Sequence, residues 1–134
     1  IDRGRRDGLK ENLAVVSPAG LVGRVVEVAA STSKVLLLTD PQFCVSALLQ
    51  EGRQQGLVCG TLENYLIMRY LDEDTDIKPN EKVITAGLTE LFPKGIMIGE
   101  VTDIKKDPYE ESIYLRIKPA VDFNKLEEVI VILR

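Results

Sequence analysis

The chain has 134 residues, of which 45% are apolar and 28% charged, with a net charge of −4 and two cysteines. That is enough for one ordinary domain or two very small ones, with a real core, and the balance excludes a disordered chain. The negative charge argues against a nucleic-acid binder, which carries a basic surplus to neutralise phosphate; the cluster Arg3, Arg5 and Arg6 is answered by Asp2, Asp7 and Glu11.

From the N-terminus, short runs rich in Val, Ile and Leu alternate with turn residues, a composition that suits a pleated surface. They predict strands near Leu13–Ser17, Leu21–Ala29, Lys34–Thr39, Val45–Gln50 and Gly56–Cys59. Further strands are predicted near Tyr65–Leu71, Lys82–Thr85, Ile96–Lys105, Ser112–Lys118 and Glu128–Leu133. Ser17-Pro18-Ala19-Gly20 has the Pro and Gly placement of a type I turn. Asp40-Pro41, Pro93-Lys94-Gly95 and Asp107-Pro108 mark other turns. Only Asn124–Val129 has room for a helical turn. In Ile113–Lys118, apolar and polar residues alternate, the mark of a strand with one buried face. Val129–Leu133 is apolar on both faces and is expected to be a central strand, or one covered by a neighbouring domain. Many short strands at this spacing point to small barrels or a sandwich.

A weak internal repeat organises the pattern. Lys10–Ser17 resembles Lys78–Thr85, and Gly23–Val28 resembles Gly99–Ile104, in the same order. Chance similarity of two hairpins is one explanation. The other is two related β units, residues 1–71 and 72–134, with a terminal strand exchanged between them. Units that small are marginal alone, so a shared interface is expected. Between them, Asp72–Asp76 reads as a solvated connector. It lacks the central Gly and closing Glu of a calcium loop.

Little here can do chemistry. The absence of His removes every scheme with a histidine base and any ready zinc site. Ser33 and Lys34 are adjacent, so on a strand they point to opposite faces and do not form a dyad. Glu110-Glu111 and Glu127-Glu128 read as solvated charge. The scattered glycines make no phosphate loop. No catalytic residue, metal ligand or cofactor is predicted. Cys44 and Cys59 are read as buried thiols; a disulfide requires that their strands be neighbours. Leu91, Phe92, Pro93 and Lys94 form the candidate partner contact, an apolar pair on a Pro-Gly turn. The alternative is that Phe92 plugs the end of its own barrel.

Several blocks carry a family resemblance. They are Gly20–Val28 followed by Thr32–Pro41, then Val83–Leu88 leading into Phe92–Val101, with Ile1–Leu9 as the opening. Together they resemble the MreC family of rod-shape-determining proteins. The sequence departs from it at Ala86, where Ser is common, in the Gly-poor stretch Leu88–Leu91, and at both cysteines. The resemblance implies an all-β fold of two small six-stranded β-barrels packed together. Because the chain opens on Ile1, it is expected to be a fragment. The longer protein is expected to carry an N-terminal membrane helix and a coiled coil, and to lie outside the cytoplasmic membrane. Implied partners are a class B penicillin-binding protein, MreD, MreB through the membrane complex, and a second copy of the chain. The implied role is a non-enzymatic scaffold that activates peptidoglycan synthases. A β-barrel adaptor of an envelope transport assembly is the alternative. A double-barrel protease is excluded by the missing His.

Overall fold

The computed structural model describes residues 1–71, 77–87, 92–106, 108–109 and 112–133. Its elements are a short 3-10 turn, Arg5–Asp7, and ten strands: β1 (Ala14–Ser17), β2 (Gly20–Val28), β3 (Ser33–Leu37), β4 (Cys44–Leu49) and β5 (Gln55–Cys59), then β6 (Leu66–Leu71), β7 (Lys82–Thr85), β8 (Met97–Lys106), β9 (Ile113–Pro119) and β10 (Ile130–Val131). Each predicted strand is present, within a few residues at its ends. The expected helical turn at 124–129 is absent, and residues 123–125 form a turn instead.

The strands form two sheets. One is a closed antiparallel barrel in the order β4-β5-β6-β9-β8-β7, and the other has four strands in the order β10-β1-β2-β3. The all-β fold and a six-stranded barrel therefore stand. The second expected barrel does not: among the described residues that unit is an open sheet, because β10 has only two residues and does not reach β3. The barrel draws β4, β5 and β6 from before residue 72 and β7, β8 and β9 from after it, so the sheets do not part at that boundary. The chain leaves the open sheet after β3, completes the barrel, and returns in β10.

The sequence similarity falls on two hairpins, β1–β2 and β7–β8, one in each sheet. They share backbone detail. Asn12 and Asn80 both adopt left-handed φ, at 69° and 65°. The Asn12 N–H donates to the Val25 carbonyl (2.7 Å), and the Asn80 N–H to the Val101 carbonyl (3.0 Å). Val25 and Val101 donate back to Leu13 and Glu81. The second strand of each hairpin then bulges at the same place against the strand that follows it, between Val25 and Glu27 opposite β3 and between Val101 and Asp103 opposite β9. Gly23 and Gly99 precede the bulges, where a Cβ would strike the carbonyls of Leu36 and Lys118 on the next strand.

One cluster of buried side chains joins the sheets. It runs from Ala14, Leu21 and Leu38 to Phe43, Val58, Met68, Ile98 and Leu115 inside the barrel. Thus one face of the open sheet caps an end of the barrel. Its other face packs Val15, Val22 and Val25 under Leu9, Leu13 and Val121. With both faces covered, β10 must be apolar on both. Val131 joins the second cluster and Ile132 the first. Of the two expectations for this segment, the central position fails, since β10 lies at the sheet edge with Ile130 and Leu133 56% and 57% exposed, whereas cover over its two faces is what Val131 and Ile132 have. Apolarity on both faces reports coverage of the faces, not of the edge.

The cysteines are not free thiols. Cys44 and Cys59 are directly opposite on β4 and β5 and form a disulfide. The pairing depends on register, which composition does not supply. The link spans 15 residues, for which loop-closure entropy suggests about 3 kcal/mol. Replacing both cysteines with Ser is expected to lower the unfolding free energy by about that amount, read as a lower urea midpoint that reductant no longer shifts. An unchanged midpoint would contradict a stabilising role.

Candidate partner-binding surface

Of the four residues singled out as a partner contact, Leu91 lies outside the described residues. The other three divide. Phe92 is 5% exposed and packs edge-on against Phe43, with ring centroids 5.7 Å apart. Its ring is inside the shared core. Pro93 and Lys94 are exposed at the turn.

Thr85 holds this turn in place. Its hydroxyl donates to the Pro93 carbonyl (2.6 Å) and accepts the Ile96 N–H (2.9 Å). Its backbone N–H donates to the Ile96 carbonyl, and its carbonyl accepts from Gly95. A fully buried threonine thus has its polar groups occupied by the turn it supports.

The other buried polar side chains also bond to their own chain, although the second carboxylate oxygen of Glu81 is buried without a hydrogen-bond partner. The Ser33 hydroxyl donates to the Arg3 carbonyl (2.7 Å), and the neighbouring Lys34 is exposed. One carboxylate oxygen of Glu81 accepts the Gly52 N–H (2.8 Å) and so fixes the β4–β5 turn. Glu127 and Glu128 are exposed, whereas Glu110, Glu111 and the acidic stretch 72–76 lie outside the described residues. No group of three or more metal-binding side chains occurs among the described residues.

Two exposed features were not anticipated from the sequence. Leu62 is 93% exposed on the loop between β5 and β6. Thr61 organises that loop by donating to the Tyr65 carbonyl (2.7 Å) and accepting the Glu63 N–H (3.0 Å). The second feature is the outer face of β6 and β9. There the Arg116 guanidinium lies over the Tyr65 ring at 4.6 Å, and that of Arg69 over Tyr114 at 5.6 Å. The alternation of Tyr114, Arg116 and Lys118 marks this face as outward. That it lies beside β6 follows only from a pairing across more than forty residues of chain.

The family model described as "Rod shape-determining protein MreC, barrel core" matches residues 1–133. The chain belongs to the MreC family. The cell shape-determining protein MreC of Listeria monocytogenes is 36% identical over 142 residues. That alignment covers all of this chain and 47% of the relative, so the chain spans about half the relative's length. The crystal structure of MreC from Pseudomonas aeruginosa superposes with a TM-score of 0.92 at 29% identity, covering 99% of this chain and 86% of that one. The fold also matches a structure described as a complex between penicillin-binding protein PBP2 and MreC from Helicobacter pylori. Here the TM-score is 0.75 at 22% identity, over 92% of this chain and 79% of that one.

Placing Phe92 in the shared core gives a direct test. Phe92→Ala is expected to cost about 3–5 kcal/mol of folding stability, measured by urea denaturation. Lys94→Ala is expected to change it by less than about 0.5 kcal/mol. Comparable small effects would contradict a core role for the ring.

Proposed function

We propose that this chain is the extracytoplasmic scaffold core of a bacterial cell-wall elongation complex. It acts without catalysis, by holding and activating a class B penicillin-binding protein. The observation that carries the reading is the family match over residues 1–133. A fold relative described in complex with PBP2 supports the class of partner. The disulfide fits an oxidising compartment outside the cytoplasmic membrane. The absence of His anywhere in the chain fits a role in binding.

In this reading the domain favours one conformation of the synthase and shifts its population; a ligand acts only through its differential affinity for two states. In the longer protein, an N-terminal membrane helix anchors the domain. MreD, MreB through the membrane complex, and self-association complete the assembly. The Pro93–Lys94 turn is one candidate contact, with Phe92 setting its position from below.

The test is binding and activation together. The purified domain is expected to bind the extracytoplasmic part of a class B penicillin-binding protein saturably in biolayer interferometry, and to raise that enzyme's crosslinking rate. An unrelated β-barrel should do neither. No binding at roughly 100 μM, where a complex is worth only about −5 kcal/mol, by either the single domain or a dimerised form would contradict the reading.

A further inference from the structure

The Cys44–Cys59 disulfide closes the end of the β4–β5 pair that lies away from its turn. We propose that this bond is a thiol-exchange site of the folded protein. The thiolate of a dithiol reductant attacks the Cys44 Sγ, and the reduced form holds the start of β4 less firmly.

Three observations favour it. First, the bond is on the outside of the barrel. Phe43, Val45 and Ala47 are buried, whereas Cys44 between them is exposed. Successive side chains of a strand point to opposite faces, so the disulfide projects away from the core. Second, the two sulfurs differ in access. Exchange depends on which sulfur a thiolate can reach, and the attacking sulfur must arrive in line with the bond, opposite the sulfur that leaves. The line to the Cys59 Sγ passes over β6. There Ile67 stands directly opposite Cys59 on the same face, half-buried, and covers the approach. The line to the Cys44 Sγ comes from the other side of β4. The neighbour on that side, β7, is in register with Ala47 to Leu49, and Ala86 donates to the Ser46 carbonyl. Cys44 lies beyond that pairing, so it is the sulfur open to attack and Cys59 is the leaving group.

Third, opening the bond acts on the junction of the two sheets. One step beyond it, the Gly60 N–H donates to the Phe43 carbonyl (3.1 Å). The Phe43 ring is fully buried and packs on Phe92 in the shared core. The chemistry balances with the dithiol as the only co-reactant. As its sulfur bonds to the Cys44 Sγ, the Cys44–Cys59 bond breaks and Cys59 leaves as a thiolate, which takes a proton from water. The second thiolate of the reductant then attacks the reductant sulfur of the mixed disulfide and releases Cys44 as a thiolate, which is protonated in turn. Two electrons pass to the protein, and the reductant departs as its own disulfide.

The test treats the purified domain, without denaturant, with the monothiol glutathione and separately with dithiothreitol. Acid quenching and peptide mapping locate the glutathione. The expected result is glutathione on Cys44 in roughly tenfold excess over Cys59, and reduction by dithiothreitol at a rate proportional to its concentration. Ile67→Ala clears the line to Cys59 and should raise the Cys59 share severalfold, with a urea midpoint to check that the variant folds. In the reduced domain the Gly60 amide should exchange with solvent at least roughly tenfold faster. Equal labelling of the two cysteines would overturn the assignment of Cys44. A reduction rate set by unfolding, and so independent of dithiothreitol concentration, would overturn exchange in the folded state. Gly60 exchange unchanged by reduction would overturn the loosening of β4.

Discussion

The rest of the structure depends on one continuous apolar cluster that crosses from the open sheet into the barrel. Leu21 contributes from the sheet and Leu38 from the turn after β3, while Ile98 contributes from a barrel strand and Phe43 and Phe92 from segments that adjoin the barrel strands. Neither sheet would keep that cover alone. A four-stranded open sheet would expose one apolar face, and the barrel would expose the end that this face closes. The approach is tight: a side chain at Gly20, in the β1–β2 turn, would strike the Met97 carbonyl at the start of β8. The relative orientation of the sheets is thus set by packing, not by a linker. A scaffold needs that rigidity, because a surface that holds its partner in one geometry must itself have one geometry.

The buried polar groups point the same way. Ser33, Glu81 and Thr85 are buried, and each bonds to a loop or turn of its own chain. The apolar and stacked groups on the outside, Leu62 and the arginine–tyrosine pairs, are held by local structure and face solvent.

How much of this was legible in the sequence follows from the range of each interaction. The strands were legible, since alternation and turn residues are local signals; Ile113–Lys118 and Ser17–Gly20 show them plainly. Register was not. The Cys44–Cys59 bond and the stacking of Arg116 on Tyr65 both require knowing which strands are neighbours. The internal repeat located two equivalent hairpins with shared asparagine and glycine geometry, but hairpins do not fix sheet membership. The same motif begins β1–β2 in the open sheet and β7–β8 in the barrel. Val129–Leu133 left a central and a covered strand both open for a related reason: composition reports what covers a strand's faces and says nothing about its edge. Phe92 posed the reverse problem. An aromatic beside Pro-Lys-Gly suits a docking tip or a plug equally well, and only the position of Phe43 decides between them.

Native-state hydrogen exchange tests the shared core most directly. Amides of β2 in the open sheet, such as Val25, should be compared with those of β6 in the barrel, such as Met68, as denaturant is raised below the unfolding transition. If one cluster holds both sheets, their opening free energies should converge on a single global value, with no separate opening of the sheet. Exchange of β2 at an opening free energy lower by several kcal/mol, with the barrel still protected, would contradict the shared core and the fixed orientation drawn from it.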